Sequence, residues 1–302
     1  MKRFVSVFFV FFYGVISYAQ KDIHNIYTLE YSQKVVYDLA DAKFNGREAG
    51  TRWSRMAARY IIKEFKKIGY NVSVQNISDK EFSSYPKKMK NVLATLPGKE
   101  KGKYVIVGAH YDHLGHTEAG IHYGADDNAT GIATILTLAK MVKASGITPK
   151  YTLVFCAWDG EEKGLLGSKY FVKEWYENRE PGDSICHYMN FDMMGRTVDD
   201  ALPTVTFAWN DNFHYLYDMC QEAYKQIPAP FRVLYDRRVG DGKGGSDYAP
   251  FSARNIPFIA WMEDELHEDY HKPTDTPDKI HWDKHKKSTL LAYEVLIQLL
   301  TD

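Results

Sequence analysis

The chain has 302 residues, 45% hydrophobic and 25% charged, the make-up of an ordinary globular protein with room for a large core. Its formal net charge of −1 offers no handle for a polyanion and argues against nucleic acid or a membrane surface as the principal partner. Eleven prolines and 21 glycines are too few for a fibrous or disordered chain.

Lys2 and Arg3 precede an apolar run from Phe4 to Ile16, followed by Ser17-Tyr18-Ala19. That is the basic, apolar and small-residue order of a secretory signal peptide. The run is shorter than the ~20 residues of a spanning helix. Residues 1–19 are therefore read as a removable signal, with an uncleaved anchor as the alternative, and residues 20–302 as one secreted domain, periplasmic or extracellular. Cys156, Cys186 and Cys220 are an odd set and read as buried small hydrophobes rather than a disulfide framework.

Leu29 to Tyr70 reads mostly as helix, with Gly69 ending the segment from Arg55 to Ile68. Val72 to Ile77 alternates as a strand. Lys99 to Lys103 reads as a solvated hairpin turn. Tyr104 to Ala109 and Tyr151 to Ala157 are continuous apolar runs, the mark of buried strands. Thr130 to Val142 and Leu165 to Trp175 read as helices. His187 to Phe191, Thr204 to Ala208 and Ile256 to Trp261 read as further strands, Phe213 to Tyr224 as a helix and Lys284 to Leu300 as a closing amphipathic helix. This alternation predicts a single-domain α/β fold with a mixed, mostly parallel central sheet flanked by helices.

Polar residues collect where the strands end, which is where open α/β sheets place their sites. The strand 104–109 runs into His110-Tyr111-Asp112-His113. The next helix is preceded by Gly124-Ala125-Asp126-Asp127-Asn128. The strand 151–157 runs into Asp159-Gly160-Glu161-Glu162, 187–191 into Asp192, and 256–261 toward His267-Glu268-Asp269-Tyr270-His271. One such residue is an ordinary loop residue. Five deliveries to one edge make a set of carboxylates that would repel each other without cations, and this oxygen and nitrogen donor set suits zinc. It holds more ligands than one tetrahedral ion needs.

These motifs resemble peptidase family M28, the zinc aminopeptidases. The resemblance rests on Gly108-Ala109-His110-Tyr111-Asp112, Gly124-Ala125-Asp126-Asp127-Asn128, Asp159-Gly160-Glu161-Glu162, Asn190-Phe191-Asp192 and Tyr270-His271 with Asp275, in that order over about two-thirds of the chain. It implies two Zn2+ per chain. His110 and Asp192 would bind one, Glu162 and His271 the other, and Asp127 would bridge them. Glu161 would be the general base for a metal-activated water, Asp112 would orient His110, and Asp275 would do the same for His271. The implied reaction removes the N-terminal residue from peptide substrates. Tyr248 is a candidate oxyanion donor, or else a packing tyrosine.

Two stretches depart from that picture. Gly240 to Ser246 lacks phosphate-loop spacing and reads as a mobile loop beside the site. Met262-Glu263-Asp264-Glu265-Leu266 is acidic where the family more often carries small or aromatic residues. It reads as a solvated loop, or as a pocket wall that selects basic N-terminal residues. A glutaminyl cyclase with one zinc, using Asp247, is the rival enzyme. A non-catalytic binding protein on the same scaffold is the rival outside enzymes. Dipeptidase or carboxypeptidase-like activity, cobalt or manganese as the metal, and the oligomeric state stay open.

Overall fold

The computed structural model describes residues 27–77, 88–238 and 245–301. The signal segment and positions 240–244 of the glycine-rich loop lie outside the described residues.

The chain enters through helix α1 (Leu29–Leu39), a tight turn at Ala42–Arg47 and α2 (Arg52–Ile68). Thr51 caps α2 by accepting N–H bonds from Trp53 and Ser54, and Gly69, in the left-handed region at φ 96°, ends it. Strands β1 (Asn71–Ile77), β2 (Met89–Leu96) and β3 (Glu100–His110) follow. A two-residue hairpin, β4 (His116–Thr117) and β5 (Gly120–Ile121), precedes α3 (Gly131–Ser145). Then come β6 (Tyr151–Trp158), α4 (Leu166–Asn178), β7 (Ser184–Phe191) and β8 (Thr204–Asn210). The chain ends with α5 (Tyr215–Tyr224), β9 (Arg232–Arg238), α6 (Ala249–Ser252), β10 (Phe258–Met262) and α7 (Trp282–Thr301).

One eight-stranded sheet runs in the order β1-β2-β6-β3-β7-β10-β8-β9. Its centre, β6-β3-β7-β10, is parallel throughout. β2 joins β6 antiparallel, β1 joins β2 antiparallel, and β8 joins β10 antiparallel while carrying β9 in parallel. The central strands are buried on both faces, which is why they read as unbroken apolar runs. In β3, Val105, Val107 and Ala109 join the core under α1, α2, α3 and α7, while Ile106 joins the core under α4 and α6. The product is a three-layer α/β/α sandwich.

Two sequence expectations need correction. Lys99 to Lys103 is not a hairpin turn, because β2 and β3 are separated by β6 and Glu100 already pairs with Tyr151. A short polar connection between apolar runs looks alike whether the strands are neighbours or flank a third. β9 was not expected from the sequence. It is an edge strand whose short apolar run, Val233 to Tyr235, is hemmed in by Arg232 and by Asp236, Arg237 and Arg238 and does not stand out.

The parallel centre positions the site. β3 ends at His110, β6 at Trp158 just before Asp159, β7 at Phe191 just before Asp192, and β10 at Met262 just before Glu263. All four carboxyl ends lie on one edge.

Candidate metal centre and active site

Asp127 lies at the middle of that edge, in the turn that leads into α3 and is 3% exposed. Its two oxygens face two clusters. Oδ1 lies 3.3 Å from His110 Nε2, which is itself 3.3 Å from Asp192 Oδ1. Oδ2 lies 3.2 Å from His271 Nε2 and 3.7 Å from His113 Nδ1. Glu162 completes the second cluster, with Oε2 3.3 Å from His271 Nε2 and Oε1 2.7 Å from His113 Nδ1. Donor atoms of His110, Asp127 and Asp192, and of His113, Asp127 and Glu162, fall within 4.8 Å of one another.

The electrostatics show that these residues suit cations. Hydrogen bonds to Asp127 and Glu162 push the His271 imidazole up to about 10. Burial works against a charged His110, yet Asp192 and Glu161 raise it well above its ordinary value. Burial works against an ionised Asp127 too, but His113 and His110 hold it well below the carboxylate range. A proton on His110 and on His271 is thereby favoured as counter-charge to the carboxylates. Divalent ions would take that place, and the carboxylate and imidazole donors match zinc chemistry.

The surroundings hold these donors in place. Asp192 Oδ2 accepts from Ser246 Oγ at 2.6 Å, Ser246 from Asn190, Asn190 from Tyr188, and Tyr188 from the Trp158 indole. Gly124 is required where it stands: at φ 57°, a Cβ would come within 2.3 Å of the Asp127 carbonyl and 2.6 Å of the His113 ring. Glu161 begins the turn after β6. Burial and the nearby Asp247 and Asp192 charges push its carboxyl well up, despite the opposing pull of His110. It lines an open cavity of about 320 Å³ together with His110, Asp127, Asp192, His271 and Tyr248. Tyr248 is 2% exposed and stacks on Phe258, so it packs and lines the cavity at once.

Three expectations change in detail. Asp112 does not bond His110 through its carboxylate: that distance is 3.8 Å, and the nearer contact is its backbone carbonyl at 3.2 Å. The Asp112 carboxylate instead accepts the backbone N–H groups of Glu161 and Glu162. Asp275 does not reach His271. It accepts the backbone N–H groups of Asp126 and Asp127 at 3.0 to 3.1 Å and so fixes the loop of the bridging carboxylate. Glu263 is not a solvated loop residue, being 7% exposed in the cavity wall.

Sequence reasoning gave no role to His113 or Arg47. His113 was visible, three residues beyond His110 at the end of the same strand. Arg47 left no signal: it is 1% exposed and donates to the carbonyls of Leu39, Tyr111, Tyr123 and Gly124 beneath the site.

The sequence model of peptidase family M28 matches residues 91–296. The chain belongs to peptidase family M28. Among curated relatives, leucine aminopeptidase 1 of Phaeosphaeria nodorum is 29% identical over 268 residues, covering 83% of this chain and 67% of its own. The chain spans 43% and 50% of two others, leupeptin-inactivating enzyme 1 of Streptomyces exfoliatus and a probable leucine aminopeptidase of Arthroderma otae. Among solved structures, the LapA aminopeptidase of Legionella pneumophila superposes with a TM-score of 0.77 at 20% identity, covering 99% of this chain and 78% of LapA. A glutaminyl cyclase of Macrostomum lignano superposes with a TM-score of 0.74 at 16% identity, covering 98% and 96%. At such identities the superpositions speak for the fold.

Proposed function

We propose that this M28 chain is a secreted di-zinc aminopeptidase that hydrolyses the N-terminal residue from peptides. The observation that carries the reading is Asp127, whose two oxygens face two separate donor clusters. His110 and Asp192 would hold one zinc, Glu162 and His271 the other, and Asp127 both. Zinc held there would supply Lewis acidity toward water and the scissile carbonyl.

The chain's own groups do the rest. Glu161, whose carboxyl is pushed up, takes the proton of the attacking water and passes it to the leaving amide nitrogen. Asp112 holds the Glu161 and Glu162 backbone, so base and ligand keep a fixed spacing. Tyr248, in the cavity wall, would donate its hydroxyl to the developing oxyanion. A cavity of about 320 Å³ suits a single terminal residue. The relatives named leucine aminopeptidase 1 and probable leucine aminopeptidase support the activity, and the basic-apolar start of the chain supports the secretion.

The test is mass spectrometry of a mixture of Leu-, Ala-, Arg- and Gln-initiated peptides incubated with the purified protein, with and without a chelator. Chelator-sensitive loss of single N-terminal residues is expected, with two zinc ions per chain by elemental analysis. Ammonia loss confined to the Gln peptides, with one zinc per chain, would make the protein a cyclase.

A further inference from the structure

We propose that the cavity selects peptides whose N-terminal side chain is cationic, arginine or lysine, and that Glu263 with Asp264 beside it is the selecting group. The inference rests on the aminopeptidase reading and names its substrate class.

Glu263, Asp264 and Glu265, which follow directly on β10, line the same cavity as His110 and Glu161. Glu263 is 7% exposed, and neither of its carboxylate oxygens has a hydrogen-bond partner; Asp264 Oδ1 is likewise buried and unpartnered. Ionising a carboxyl buried without a donor is costly unless a cation accompanies it. One described cation, Lys284, acts on Glu263 and Asp264 through its charge, without a hydrogen bond to either Glu263 oxygen or to Asp264 Oδ1. Lys284 Nζ donates to the Arg196 carbonyl, Arg196 pairs with Asp269 at 2.9 Å, and Arg238 pairs with Asp236.

A metal ion is not the missing cation. Donor atoms of Asp126, Glu263 and His267 do lie within 4.8 Å of one another. But His267 Nδ1 accepts the backbone N–H of Asp269 at 3.2 Å, which places the ring proton on Nε2. Nε2, the atom facing Asp126 and Glu263, is then a donor and not a ligand. It stands 3.6 and 3.9 Å from them, too far to satisfy either.

A substrate guanidinium or ammonium can fill that role. Met193, Met262 and Leu266 line the same cavity and suit the alkyl stem of such a side chain. Burial and the neighbouring Asp126 hold the Glu263 carboxyl up at about 10 against the opposing pull of Lys284, so an uncharged side chain meets a protonated acid. A guanidinium brings the counter-charge that keeps it ionised.

The test compares peptides beginning with arginine, citrulline and leucine, since citrulline matches arginine in shape and lacks only the charge. The wild type is expected to show kcat/KM at least tenfold higher for arginine than for citrulline. That ratio should fall to about 1 in Glu263→Gln and decrease severalfold in Asp264→Asn, the second variant guarding against a folding defect in the first. An arginine-to-citrulline ratio near 1 in the wild type, with leucine and citrulline peptides cleaved, overturns the inference and leaves the aminopeptidase standing. A high ratio retained in both variants overturns the assignment to these carboxylates. No cleavage of any of the three overturns the aminopeptidase reading, and the inference with it.

Discussion

Arg47 offers the sharpest test of how the site is held. Its Nε donates to Tyr111 O at 2.9 Å, Nη1 to Leu39 O at 2.8 Å and Tyr123 O at 2.7 Å, and Nη2 to Gly124 O at 2.8 Å. Burial lowers its pKa to about 10, opposed by Asp127, Asp275, Asp112 and Glu162, so at neutral pH it is charged. It is therefore both a tie between the end of α1 and two loops and the buried counter-charge of the carboxylates around it. Arg47→Met orphans four carbonyls and leaves those carboxylates uncompensated. Removing one partner of a buried charge set costs about 3–5 kcal/mol, a large share of the roughly 5–15 kcal/mol that stabilises a domain. Arg47→Lys keeps the charge but not the planar fork, so about half that loss is expected. The assay is urea unfolding at pH 7, followed by circular dichroism, with chelator and with saturating zinc. The loss should be larger with chelator, where Arg47 is the main permanent counter-charge. Asp275→Asn in the Arg47→Met background should recover part of it. A loss below about 1 kcal/mol for Arg47→Met in both conditions would refute the argument.

Three further outcomes are expected. Glu161→Gln should lower kcat by about 10²–10⁴-fold while zinc per chain stays at the wild-type value; near-normal turnover removes Glu161 from the base role. His113→Ala deprives Glu162 of its 2.7 Å partner and should weaken zinc binding about 10–100-fold in chelator competition, with turnover recovering at high zinc; an unchanged affinity would show that His113 does not position Glu162. His285, fully buried, has its pKa lowered to about 4 by burial. The unfolded state binds a proton near pH 6.5 and the folded state resists it. Stability present above pH 6.5 should thus fall by about 3 kcal/mol as pH drops toward 4. That part of the slope should vanish in His285→Gln, and an identical pH profile for the variant would exclude His285 as its source.

The sequence by itself determined the architecture and the edge on which the site lies. Buried parallel strands must be apolar on both faces, so β3, β6 and β7 stand out as runs, and the first polar residues after each mark where the chain leaves the core. That is why His110, Glu161, Glu162 and Asp192 were legible. β9 was not, because an edge strand can carry charge on either side and keeps no apolar period. The tertiary structure decided which atoms meet. Asp275 looked like a partner for nearby His271, yet it binds the N–H of Asp127, 148 residues away. Asp112 proved to hold the Glu161–Glu162 backbone, and Glu263 to be walled into the cavity, because loops from distant segments close around them. Such contacts depend on ångström-scale placement of separate loops, which leaves no periodic trace in the chain. Arg47 is the extreme case: a lone arginine in a polar turn, recognisable as the buried counter-charge of the site only once four carbonyls from three segments converge on it.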